Sequence, residues 1–259
     1  TFGLQMLLLV SLAAGIAVTA RGRAWRVGAL AAGLAGALGL AASFTRSAWL
    51  GLAASLALVL GLRRPRALIL LAVAAAVAYA VLPGDFGDRL RSAFAPGHPA
   101  NRERTMMWEA GARAFRDHPI TGVGLQNLRP VLDRYRSPLA SEHPAHLHDS
   151  YLQVAVTTGS LGLLAFLALC VALVRAAGMG PPGLHRATGL GAGARLGVTA
   201  GAAGFLIAAL FDHAFGDEPL LFLLFTLAGI AWAARGWGDD ADAPHAPAAV
   251  GAHDGTRPA

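Results

Sequence analysis

Lysine is missing from the 259 residues, so all permanent positive charge rests on 21 arginines. Cysteine is almost missing too. Cys170 alone excludes an intrachain disulfide and any multi-cysteine metal site. Charge is scarce at 14% of residues, against 55% hydrophobic residues and a mean hydropathy of +0.53. That balance excludes an ordinary soluble composition and points to a membrane protein. The sequence begins at Thr1 with no initiator Met, so a fragment or a processed product is expected. Its first apolar run has no basic stretch before it and no clear small-residue cleavage site after it. That run reads as a transmembrane helix and not as a signal peptide.

What is present is a series of apolar runs divided by arginines. The runs are 2–20, 27–44, 47–62, 67–82, 151–174, 196–211 and 219–234. The expected fold is therefore all-α, a polytopic bundle of about seven transmembrane helices. Gly33, Gly36 and Gly39 mark a helix-packing face in the second run. Arg21, Arg23 and Arg26, then Arg63, Arg64 and Arg66, then Arg175 to Arg195 fall on one side of a seven-span topology. The positive-inside rule assigns that side to the cytoplasm. The net charge of +6 thus reads as topology and not as a nucleic-acid surface, and no nucleic-acid partner is expected.

Four regions follow. Residues 1–82 hold helices one to four, and 83–149 form a large extracytoplasmic helical loop. Residues 150–235 hold helices five to seven, and 236–259 form a disordered cytoplasmic tail rich in Ala, Pro, Asp and His. The loop is long, polar and His-rich, and a loop of that size between membrane spans calls for a function. Within it, 101–117 reads as a helix with Met106, Met107, Ala110, Ala114 and Phe115 on one stripe. His118-Pro119 ends that helix. Thr121-Gly122-Val123-Gly124 reads as a tight turn, and 125–136 as a second short amphipathic helix.

Several elements occur in a telling order: Arg104-x-x-x-Trp108, Pro119-x-x-Gly122-x-Gly124, His148-Asp149-Ser150-Tyr151-Leu152 and Gly159-x-x-Gly162. Ser43-Phe44-Thr45-Arg46-Ser47 precedes them at a helix end. Together they resemble the O-antigen ligase and O-antigen polymerase superfamily of bacterial membrane glycosyltransferases, of which the chain looks like a C-terminal portion. Asp149 stands where that family usually has Asn, and Thr157 where many members carry Glu.

The resemblance implies an enzyme of lipopolysaccharide or other cell-envelope polysaccharide synthesis. Such an enzyme moves a glycan from a polyprenyl (undecaprenyl) diphosphate carrier to an acceptor hydroxyl on lipid A-core, another glycan or a protein. It implies location in the bacterial inner membrane, contact with membrane lipids, and no cofactor or metal. It assigns Arg46 and Arg104 to the donor diphosphate, because fixed guanidinium groups stabilise the negative charge that grows on the leaving group. It makes His148 the base or orienting acceptor for the incoming hydroxyl. Trp108, Gly122, Gly124, Asp149 and Tyr151 are supporting candidates.

Blander roles compete for each residue. Arg46 can snorkel to the interface, Arg104 can be a solvated helix face, and His148 can cap the fifth helix. Arg102, Arg113, Arg116 and Arg129 read as surface charge, His118 as a helix terminator, and Gly122 and Gly124 as backbone devices. His143, His146, His148 and Asp149 also compose a possible zinc set, although the spacing is unspecific. Asp212 and His213 fall on the loop's side of the membrane. Ligase, polymerase and protein O-oligosaccharyltransferase share these motifs. A transporter is the alternative of a different class, but it calls for ionisable groups or broken helices at mid-membrane, and the runs are nearly free of charge.

Overall fold

A computed structural model describes residues 2–81, 84–93, 95, 97–125, 128–141, 143, 145–177 and 187–236. The tail and most of the Gly/Pro-rich connector before Arg195 lie outside the described residues. The regular structure is helical, with no strand among the described residues. In chain order the helices are α1 (Phe2–Thr19), α2 (Arg23–Ala42), α3 (Arg46–Arg63), α4 (Ala67–Val81), α5 (Gly84–Ala93), α6 (Pro99–Asp117), α7 (Arg129–Tyr135), α8 (Ser150–Ala177), α9 (Leu190–Ala208) and α10 (Glu218–Ala233). Two 3-10 turns, Ala214–Gly216 and Ala234–Gly236, flank α10.

Five helices, α1, α2, α3, α8 and α9, are long and apolar enough to cross a membrane. The 18 residues of α1 span about 27 Å. α4 and α10 are apolar but shorter, at 15 and 16 residues.

α9 is the centre of the bundle. Lipid gives helices little hydrophobic drive to associate, so close backbone approach must do it. α9 supplies that approach with small residues. A Cβ on Gly197 would lie 2.6 Å from the Cα of Leu12 in α1, and one on Gly204 would lie 2.3 Å from the Gly51 carbonyl of α3. At the same level Ser55 Oγ donates to Ser11 Oγ (2.7 Å), which donates onward to the Leu7 carbonyl (2.7 Å). The expected face on α2 also packs. Gly36 meets Val10 and Gly39 meets Met6, both on α1. The opposite face of α2, with Leu30, Leu34 and Leu38, is exposed.

Two elements depart from expectation. α9 begins at Leu190 and not at 196, so Arg195 sits inside the helix. The fifth apolar run is not one straight span, because α8 breaks at Gly159 (φ 68°, ψ −167°). Tyr151 and Phe166 have ring centroids 5.5 Å apart, whereas a straight helix would separate their Cα atoms by roughly 22 Å.

The break frees backbone groups, and the turn after α6 satisfies them. Val123 N–H donates to the Val156 carbonyl (2.9 Å), Gly124 N–H to the Thr157 carbonyl (2.9 Å), and Ser160 N–H to the Pro119 carbonyl (2.8 Å). Gly122 and Gly159, both at φ 68°, let the two chains touch. A Cβ on Gly159 would lie 2.1 Å from the Ile120 carbonyl oxygen.

The polar loop has its own core. Met107 and Ala114 of α6, Leu128 before α7, Leu132 of α7, Leu147, and Val156 of α8 are buried together. The second expected helix is shorter than 125–136 and covers Arg129–Tyr135. α6 ends where Pro119 requires, with His118 N–H closing onto the Ala114 and Phe115 carbonyls.

Candidate active site

Four chain segments converge at one end of the bundle. α2 stops at Ala42 and turns through Ser43 and Phe44 into α3, which opens with Arg46. α6 brings Asn101, Arg104 and Trp108, the loop segment before α8 brings His148, and the turn after α9 brings Phe211 and Asp212. These residues line two adjoining cavities of about 240 and 250 Å³, which share Arg46, Ser47, Arg104 and Phe211. Arg46, Arg104 and His148, far apart in sequence, therefore face one space.

Each side chain is held by its neighbours. Arg46 Nη1 donates to Ser92 Oγ (3.4 Å) and to Asn101 Oδ1 (3.3 Å). The Asn101 amide in turn donates to the Ser92 and Ala95 carbonyls at 2.8 and 2.9 Å, which locks α5 to the start of α6. Ser47 Oγ donates to Asp212 Oδ2 (3.1 Å). The Ser150 hydroxyl donates to the Asp212 carbonyl (2.8 Å) and accepts from Ala214 N–H (3.0 Å), joining α8 to the turn before α10. Arg104 is half-buried; desolvation lowers its pKa from the ordinary arginine value, and the nearby Asp212 carboxylate opposes that shift.

His148 is the most perturbed group at this end. Burial, then the fields of His146 and Arg104, pull its pKa down to about 4, with Asp212 opposing. Its ring is therefore neutral at pH 7 and able to accept a proton. The His146 ring meets it edge-on at 4.2 Å between centroids, and His146 stacks on His213 at 5.3 Å. Burial and His146 lower the His213 pKa as well. The backbone is strained at the same place. Phe44 (φ 51°) and His148 (φ 48°) are the non-glycine residues at positive φ among the described residues, and both line the cavity of about 250 Å³. Such strain collects at sites where position matters more than local stability.

The supporting candidates divide. Trp108 lines the pocket, and its Nε1 donates to the Leu147 carbonyl (3.0 Å), next to His148. Tyr151 is a scaffold residue whose hydroxyl donates to the Leu206 carbonyl of α9 (2.9 Å). Asp149 caps α8, its Oδ1 accepting from Tyr151 and Leu152 N–H at 2.8 and 2.9 Å. Burial raises the pKa of its carboxyl while these two bonds resist. The cap uses an acceptor oxygen, which the Asp149 carboxylate supplies. Gly122 and Gly124 serve the joint with α8 and do not line the pocket.

The four residues of the zinc reading do not converge. His143 Nδ1 pairs with Asp133 at 2.8 Å, and Asp149 is used as the cap. Thr157 bonds back to the Gln153 carbonyl (2.8 Å). The pocket residues that no motif position named are Leu50, Asn101, Thr105 and Phe211. Their signal was only adjacency to Arg46, Arg104 and Asp212.

Among the described residues the regular structure is all helical, and five span-length apolar helices with a folded polar insertion point to a multi-pass membrane protein. The sequence pattern of the O-antigen ligase family matches residues 30–167, more than half of the chain, and the chain belongs to that family. No curated protein matches it.

Proposed function

We propose that this protein is a glycosyltransferase that moves a glycan from a polyprenyl-diphosphate carrier to an acceptor hydroxyl. The observation that carries the reading is the convergence of Arg46, Arg104 and a neutral His148 on one pocket at the end of the bundle. The acceptor oxygen bonds to the anomeric carbon of the donor glycan while the bond from that carbon to the diphosphate breaks. His148 takes the hydroxyl proton. Arg46 and Arg104 receive the charge that builds on the departing diphosphate, as guanidinium pairs suit phosphate oxygens. Guanidinium groups as a class keep their charge near neutral pH, so this electrostatic task can be done without a metal.

The topology that fits has seven spans, with α4 and α10 completing the count. The pocket opens on the extracytoplasmic face of the inner membrane, and the arginine-rich ends lie in the cytoplasm. Ligase to lipid A-core is the leading form, and polymerase or protein O-oligosaccharyltransferase would use the same pocket.

The test is made in the producing bacterium. Replace Arg46, Arg104 or His148 by Ala, confirm membrane levels, and measure the length of carrier-linked glycan. Long polymer stranded on the carrier supports a ligase, and single repeat units support a polymerase. Unchanged carrier pools and unchanged surface glycan in all three variants would overturn the reading.

A further inference from the structure

The other end of the bundle carries a second concentration of arginine, and part of it is buried without partners. Arg195 sits within the first two turns of α9, behind the buried stretch Gly191–Ala194. Its Nε is enclosed by protein and has no hydrogen-bond partner. Arg63, at the end of α3, has the same defect at both Nε and Nη2. Val59, one turn before Arg63, packs against Leu196, one residue after Arg195, so both arginines belong to the same end of the α3–α9 pair. Arg235 lies within electrostatic range of Arg195. Its Nη2 donates to the Arg175 and Ala176 carbonyls at the end of α8 (3.0 and 3.2 Å).

Buried guanidinium N–H groups without acceptors are costly, and like charges held close add to that cost. Helix packing cannot relieve either. The described carboxylates fall within 88–149 and 212–218, in the segments at the pocket end. Among the described residues the arginine end therefore holds no anion with several acceptor oxygens to meet these groups. A phosphate has that form, and arginine is the residue that pairs with it best. Basic pockets between membrane helices are where lipid phosphates bind.

We infer that Arg195 and Arg63, with Arg235 near Arg195, form a phosphate-binding site at the end of the bundle opposite the glycan-transfer pocket. The ligand class is a phosphate anion, either the phosphodiester of an anionic lipid or soluble phosphate. The site is independent of the transfer reading, since none of its residues lines that pocket.

The experiment uses the full chain in nanodiscs of phosphatidylcholine and follows thermal unfolding. Phosphatidylglycerol is mixed into one set of discs, and inorganic phosphate is added to another. A rise in midpoint with phosphatidylglycerol alone identifies a lipid phosphate, and an equal rise with inorganic phosphate identifies a soluble one. In either case R63Q/R195Q should weaken the apparent affinity by roughly tenfold, the value of one charged hydrogen bond. R66Q, at an exposed position, should leave it unchanged. R63K/R195K, which keeps the charge, covers the case in which the Gln variant does not fold, and it should lose part of the response. Native mass spectrometry of the wild type should retain phosphatidylglycerol over phosphatidylcholine. No response to either anion, or a full response in both double variants, overturns the site.

Discussion

Trp108 Nε1 donates to the Leu147 carbonyl at 3.0 Å, and Leu147 is the residue before His148. α6 thereby holds the backbone next to His148, the proposed base, through one contact. Leu147 is fully buried in the loop core, so its peptide cannot turn toward water if the indole is lost. Trp108→Phe keeps most of the apolar volume and the packing on Phe211, whose ring centroid is 6.3 Å away. It leaves a carbonyl without its donor, at a cost of about 1 kcal/mol. The expected result is normal membrane level with transfer slowed by about tenfold or more, because a displaced base loses its alignment. Quantified surface glycan per unit of protein checks this. Wild-type transfer would remove Trp108 from the positioning of His148.

The pH dependence follows from the sign of the His148 shift. In the folded protein its pKa is about 4, below the ordinary value of 6.5. The unfolded chain therefore takes up a proton as pH falls through 6.5, while the folded chain refuses it until about 4. Stability is full above pH 6.5 and declines as pH is lowered toward 4. Lowering of the His213 pKa adds in the same direction. Unfolding midpoints between pH 7 and 4.5 should fall for the wild type and fall less for His148→Gln. Transfer should keep its base neutral throughout that range, so its acid limb should lie near pH 4 to 5 and not at 6.5. An acid limb at 6.5 would mean that the essential base is not this histidine.

Much of this was legible in the sequence because lipid and polar chemistry leave strong marks. The expected runs became helices, and α6 ended at His118 as Pro119 demanded. The triad of Arg46, Arg104 and His148 could be named from motif order, and the structure brings the three to one pocket. The break at Gly159 was hidden, since its neighbours continue the apolar pattern and only the φ of 68° reveals it. Arg195 looked like the end of a connector because arginine usually marks a helix boundary, yet small neighbours let it enter α9. Asp212 could be placed on the right side but not at the pocket. That depends on how α9 and α10 sit against α3 and α8, a long-range relation that local pattern does not encode. The strain at Phe44 and His148 is likewise a property of the assembled site and not of either residue type.

The joint between the loop and α8 predicts a shared failure. Gly159→Ala would push a methyl onto the Ile120 carbonyl and force a non-glycine residue to φ 68°. Gly122→Ala would meet the Thr157 carbonyl carbon at 2.5 Å, also at φ 68°. Each should destabilise by about 2 kcal/mol or more, since strain and collision add. The two lesions break the same hydrogen-bonded contact, so the double variant should cost less than their sum. Thermal midpoints of the three proteins in detergent test this. Strict additivity would show that the two glycines act in separate places.

Asp149 offers the sharpest separation of cap from chemistry. Its Oδ1 accepts from two N–H groups at the start of α8, and its neighbour His148 carries the proposed proton transfer. If the acceptor oxygen is its whole task, Asp149→Asn should preserve both stability and transfer, with rates within about twofold. Asp149→Ala should lose about 1 kcal/mol from the missing cap and, with α8 frayed at its first turn, should also lower transfer. A large loss of transfer in Asp149→Asn, at unchanged stability, would show that the negative charge itself matters. The carboxylate would then belong beside His148 in the mechanism, and the departure from the family's Asn would be a change of chemistry and not of capping.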